Sequence, residues 1–190
     1  MAWVDYTFEE QKAILYGENV DADDRERLAY MDGHKPELVN YIVEYETGEE
    51  LFSICFGLFY KSNTNICSST LTKAAKKLAT YDLTAYCKSA GNALTCIALH
   101  LNTDVETLRY LYSLNNRYIN WGLANNPNTP KDILSELTNL NVFDIDDALL
   151  NNPNTPKEIR NVIWERYPNG FFSCGYYYDL QKIKVEASGN

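Results

Sequence analysis

The segment Leu123-Ala-Asn-Asn-Pro-Asn-Thr-Pro-Lys-Asp-Ile133 returns as Leu149-Leu-Asn-Asn-Pro-Asn-Thr-Pro-Lys-Glu-Ile159, displaced by 26 residues. Seven consecutive identities, Asn125–Lys131 against Asn151–Lys157, do not arise by chance. A further step of 26 towards the N-terminus reaches Ile97-Ala-Leu-His-Leu-Asn-Thr-Asp-Val-Glu-Thr107, where Asn102, Thr103 and Glu106 keep register while the two prolines have become Leu101 and Asp104. Three copies of one unit, the first degraded, require one local structure to recur and to bury its apolar face against its own neighbours.

The motif reads as a boundary between two helices. Thr103, Thr129 and Thr155 each stand three residues before an acid (Glu106, Asp132, Glu158), the spacing at which a hydroxyl and a carboxylate cap a helix start reciprocally. Pro130 and Pro156 then fall at the first helical position, where a missing N–H is harmless. Pro127 and Pro153 stop the preceding helix from running through. After each boundary the apolar residues follow a helical period: Leu108 and Leu111, flanked by Tyr110 and Tyr112, then Ile133, Leu134 and Leu137, then Ile159, Val162 and Ile163. Each unit is expected to be a short helix, a rigid Asn/Pro turn and a longer helix.

These residues resemble the leucine-rich-repeat variant family, whose repeats carry an Asn-Pro-x-Thr-Pro turn ahead of a Leu-rich helix. The resemblance covers about residues 97–164. It implies stacked helical pairs without strands, used as a scaffold for binding. Some members of that family hold an iron–sulfur centre through an N-terminal cysteine cluster; this chain has no comparable cysteine spacing, so no cofactor is carried over.

Outside the repeats the pattern is mixed. Thr7 and Glu10 form another capping box, opening a helix that should stop at Gly17, and a second helix is expected from about Asp23 to Met31 with Gly33 as its left-handed stop. Val39, Tyr41, Val43 and Tyr45 alternate, Glu46-Thr47-Gly48-Glu49 reads as a turn, and Leu51 to Tyr60 is apolar. This reads as a β-hairpin, with two helices as the alternative. Residues 70–80 read as a helix with Leu71, Ala74, Ala75 and Leu78 inward. After Pro168-Asn169-Gly170 the chain is aromatic and then alternates from Lys182 to Glu186, as a strand or hairpin does. The expected fold is mainly α: a short α-solenoid of about 26-residue units over 70–166, an acidic α+β part over 1–69, and a β tail over 167–190.

Charge separates the halves. Residues 1–50 hold 14 Asp/Glu against 4 Lys/Arg, whereas residues 51–101 hold 1 against 5. A net charge of -9 disfavours direct binding to nucleic acid, which needs a basic footprint; Lys73, Lys76 and Lys77 form the one basic cluster. The longest apolar stretch is about half the roughly 20 residues a membrane span needs, so no membrane association is expected. No secretory leader is visible, which favours the cytoplasm. Five scattered cysteines without a C-x-x-C pair then read as free thiols.

Candidates for chemistry are few. Cys96 and His100 lie four apart, a spacing that would place a thiol and an imidazole on one helix face. The repeat register, however, aligns Cys96 with Gly122 and Ala148, and His100 with Asn126 and Asn152, so both read as structural. His34 has no sequence partner. Asp21, Asp23 and Asp24, and again Asp144, Asp146 and Asp147, fail the calcium-loop pattern, and no metal site is expected. Phosphate-loop and nucleophile-elbow motifs are missing. The Tyr176-Tyr177-Tyr178 run suits either a sheet face or an interface. The expected function is therefore a non-enzymatic protein–protein interaction module, binding another protein through the repeat surface, the tyrosine run or the aspartate patches. One alternative is an acidic phage or mobile-element inhibitor that mimics nucleic acid against a host defence complex, motivated by the N-terminal acids and by a Tyr- and Asn-rich composition. The other is a small enzyme with an unfamiliar site.

Overall fold

Thr7 opens the first helix as its spacing predicts: its hydroxyl accepts the Glu10 N–H while the Glu10 carboxylate accepts the Thr7 N–H. The computed structural model describes residues 2–60, 66–83 and 90–167, with the backbone of 172–173 and 176–177. It is mainly helical, with eleven α-helices among the described residues. They are α1 (Phe8–Leu15), α2 (Ala22–Ala29), α3 (Pro36–Tyr45), α4 (Gly48–Tyr60), α5 (Ser68–Leu78) and α6 (Ala90–Leu99), followed by α7 (Val105–Ser113), α8 (Arg117–Asn125), α9 (Lys131–Thr138), α10 (Phe143–Asn151) and α11 (Lys157–Arg166). Gly33 takes the left-handed conformation expected after α2. None of these helices is long and apolar enough to cross a membrane.

Residues 38–60 are not a hairpin. They form α3 and α4, with Gly48 at φ +60° in a turn that joins helices rather than strands. An alternating run places residues i and i+4 on one face, and so does a helix; Val39 and Val43 satisfy both. The helix wins because Leu38 and Ile42 fill out its buried face. Tyr41 turns to α1 instead, against Phe8, Tyr16 and the Lys12 ammonium, which lies 3.9 Å from its ring centre. At the other end, two dipeptides, Phe172–Ser173 and Tyr176–Tyr177, pair antiparallel, which is too little chain to test the expected β tail. Tyr178 and the alternation from Lys182 lie outside the described residues, as do Cys87 and Cys174.

The even-numbered helices pack in chain order, α2 on α4, α4 on α6, α6 on α8 and α8 on α10; the odd-numbered ones run alongside, α1 on α3, α3 on α5, α5 on α7 and α9 on α11. An ion pair between Arg109 and Asp132 ties α7 to α9. Between the two layers lies one continuous apolar core containing Leu108, Leu111, Leu134, Leu137 and Ile163. Val162, expected inward, is exposed, because it occupies the register position of the exposed Glu136. In the even layer the helices approach closely: a Cβ on Gly122 would stand 2.9 Å from the Thr95 carbonyl oxygen and 3.0 Å from the Ala98 methyl.

The turns carry a different chemistry from the expected caps. Pro130 and Pro156 are themselves the N-cap residues, and their carbonyls accept the first helical N–H groups, from Leu134 and Arg160. The threonines face backwards. Thr103 and Thr129 donate to the carbonyls of Ile97 and Leu123 at 2.6 and 2.7 Å, while the Thr155 hydroxyl has no partner. The reason lies in the helix just ended, whose last carbonyls have no intrahelical donors and are buried. In the degraded copy, where no proline intervenes, Asp104 caps α7 by accepting the Thr107 N–H.

The motif asparagines complete that repair across copies. The Asn126 amide donates to the carbonyls of Ala98 and His100 at 2.7 and 3.1 Å, and its oxygen accepts the Asn128 N–H. The Asn152 amide repeats this on Ala124 and Asn126 at 2.8 and 2.9 Å, with its oxygen on Asn154. His100 keeps the acceptor half of the role, its Nδ1 taking the Asn102 N–H. Each copy thus caps the first helix of the copy before it, on buried side chains. A second buried polar node fastens the N-terminus: the Gln11 amide donates to the carbonyls of Trp3 and Gly33 and accepts the Lys35 N–H, and Trp3 Nε1 donates to His34 Nδ1 at 3.0 Å.

Two outcomes test these nodes. Asn126→Ala leaves the Ala98 carbonyl without a donor and the Asn128 N–H without its acceptor and should cost about 2 to 4 kcal/mol in chemical denaturation, whereas Asn125→Ala, whose amide bonds only within its own helix, should stay within about 0.5 kcal/mol of the parent. His34 titrates below its ordinary range, because burial disfavours the imidazolium despite the neighbouring carbonyls of Ala29 and Leu28. The unfolded chain therefore binds the proton more readily than the folded one. Stability should be full above the unfolded value of about 6.5 and should decline as the pH falls through and below it. Melting temperature followed from about pH 7.5 to 5.5 should show this decline, and His34→Gln, which retains an acceptor for Trp3, should flatten it.

Candidate functional site

The aspartates singled out in sequence do not form one patch. Asp21 caps α2 by accepting the Asp24 N–H, Asp23 is exposed in the first turn, and Asp24 pairs with Arg27. The second group sits at the other end of the even layer, on α10, and points several ways. Asp144 is exposed and pairs with Arg117 of α8 at 2.7 Å. Asp146 is 0% exposed: both of its oxygens lie 3.1 Å from Arg166 and one accepts the Tyr167 hydroxyl at 3.0 Å, so it is a structural clamp rather than surface charge. Burial, with Asp146 as the hydrogen-bond acceptor, pushes the Tyr167 phenol up to about 12. Asp147 is half-buried beside Asn151. Among the described residues no three metal-ligating side chains converge.

Cys96 and His100 are both buried and occupy their repeat positions. Burial alone pushes the Cys96 thiol up to about 12, which leaves no thiolate for a nucleophilic role near neutral pH. The thiol of Cys67, missed in sequence, has the opposite environment. It is exposed at the N-cap of α5, with the hydroxyls of Ser69 and Thr70 each 3.1 Å from its sulfur, and these hydrogen bonds bring it down to about 7. Nearby, a shallow groove of about 280 Å³ between α5 and α7 is lined by Thr72, Lys76, Asp104, Glu106, Thr107 and Tyr110. Burial opposes ionisation of Asp104, but hydrogen bonds from Ser68 and Thr107 outweigh it and hold the carboxyl below its usual range. Thr72, Asp104 and Thr107 bond to one another and to Ser68, so this side of the groove reads as helix packing.

The outward side of α8 is the more informative surface. Tyr118 and Trp121, three residues apart on one face, are 43% and 39% exposed, while Ile119, Leu123 and Ala124 of the same helix are buried. The 26-residue register and the Arg117–Asp144 pair set α8 beside α10, so Tyr118 corresponds to Asp144 and Trp121 to Asp147. Phe143 is also exposed, with one ring edge against Tyr167. The signal for this face was present in the repeat alignment. Asn92 and Thr95 in the first copy, and Asp144 and Asp147 in the last, mark both positions as polar and outward, so an aromatic pair there is not core. The side chains of Tyr176, Tyr177 and Tyr178 lie outside the described residues.

No family model, no curated protein and no solved structure matches the chain.

Cys67 should be the first of the described cysteines to react with iodoacetamide at about pH 7, with a rate that follows a midpoint near 7. Cys55 and Cys96, both buried with thiols pushed upward, should label only on unfolding; peptide mapping by mass spectrometry reads all three.

Proposed function

We propose that the chain is a protein–protein interaction module, a short α-solenoid of the leucine-rich-repeat variant kind that engages another protein through the outward face of α8 and α10. The observation that carries this reading is the exposed pair Tyr118 and Trp121 on a helix whose apolar residues are otherwise buried. Aromatic side chains of this type bury a large area at low conformational cost and concentrate binding energy. Asp144 and Asp147 in the corresponding positions of α10 supply a polar border. The two-layer stack supports the solenoid part of the reading, because cross-copy capping holds successive outward faces in fixed register.

The nucleic-acid-mimic reading, which rests on the N-terminal acids, draws less support: Asp21 caps α2 and Asp24 is paired with Arg27. The enzymatic reading draws no support from the pair singled out for it in sequence, since Cys96 and His100 are both buried at repeat positions.

A photo-crosslinking residue placed at position 121 should capture a defined partner from the native host, whereas one at Glu136, exposed on the opposite layer, should not. Trp121→Ala should leave the melting temperature unchanged and weaken binding to that partner at least about 30-fold, the loss expected for a hot-spot residue. A partner held equally by parent and variant would place the interface elsewhere.

A further inference from the structure

The helix-capping ladder changes after α10, since no asparagine stands at the next register position. By register, the carbonyls that Asn126 caps (Ala98, His100) and Asn152 caps (Ala124, Asn126) recur as those of Leu150 and Asn152. The residue that would cap them is 26 beyond Asn152, and it is Tyr178. In the structure both carbonyls are occupied from within the chain. Arg160 donates through one guanidinium nitrogen to Leu150 and through the other to Asn152, and its Nε donates to the Thr155 carbonyl at 3.2 Å.

Arg160 also breaks the repeat pattern. The equivalent residues in the first two copies are Leu108 and Leu134, both 0% exposed in the apolar core. A leucine there packs between layers. An arginine at the same place carries its charge across the turn and delivers two donors at a fixed spacing, the property that distinguishes a guanidinium from an ammonium. The same terminal helix closes the end a second time, through Arg166 on the buried Asp146. Arg166 likewise has a leucine, Leu140, at its position in the middle copy.

We propose that Arg160 is the terminator of the array: its guanidinium stands in for the asparagine that register position 178 lacks and caps α10 from within the chain. The array length is then set by a side chain in α11, and the ladder ends with that helix. A consensus view of the repeat makes the opposite prediction, because restoring leucine at a position where the other copies have it should stabilise.

The full chain carrying Arg160→Leu decides between them. Termination by Arg160 predicts a melting temperature lower by about 3 to 8 °C, from the Leu150 carbonyl left without a donor and the Asn152 carbonyl left with the Thr155 N–H alone. It also predicts faster hydrogen exchange at the amides of Asn152, Asn154 and Thr155, with exchange in α6 and α8 unchanged. Arg160→Lys, which keeps the charge but offers a point donor, should fall between leucine and the parent in both measurements. Should the leucine variant fail to fold, the lysine variant carries the same exchange test. A leucine variant as stable as the parent or more so, or a lysine variant with parental exchange at Asn152, Asn154 and Thr155, would overturn the assignment.

Discussion

The last turn of a helix exposes carbonyls with no intrahelical donor, and at the ends of α6 and α8 those turns are buried. That constraint organises the repeat region. A turn written Asn-Asn-Pro-Asn-Thr-Pro has lost two backbone N–H groups to proline and satisfies the ended helix from side chains instead. Thr129 serves a carbonyl of its own copy, and Asn126 serves two carbonyls of the copy before. Because the asparagine bonds reach across copies, the same interactions that finish a helix also fix the offset between neighbours. Apolar contact between Leu108, Leu111, Leu134 and Leu137 supplies the attraction; the amide bonds supply the register.

Much of this was legible in sequence. The period, the helix pairs and the inward stripe follow from spacing alone, and the equivalence of His100 with the motif asparagines appears in the structure as a shared acceptor role. What spacing left ambiguous was direction. Thr-x-x-Asp fits a reciprocal cap facing forward, and only the burial of the preceding helix end turns the hydroxyl backward. At residues 38–45 the ambiguity was one of period, since i and i+4 coincide in a strand and a helix, and tertiary burial of Leu38 and Ile42 decided it.

The candidate surface was legible in part and by a different route. Counting acids located charge but not its destination: Asp146 shares a short segment with Asp144 and Asp147, yet one helical step turns it inward to Arg166. Tyr118 and Trp121 drew no notice as single residues. They stand out only where the copies are compared position by position, because one copy places aromatic rings where its neighbours place polar groups.

The proline after each ladder asparagine has a consequence for the chemical lifetime of the fold. Asparagine ages by attack of the following backbone nitrogen on the side-chain amide, which releases ammonia and leaves a carboxylate. Here that nitrogen belongs to Pro127 or Pro153 and carries no hydrogen, so the usual cyclisation is closed. A carboxylate at either position would turn a double donor into an acceptor facing two carbonyls, the most damaging exchange the ladder could suffer. The residue that breaks the helix therefore also preserves the group that repairs it.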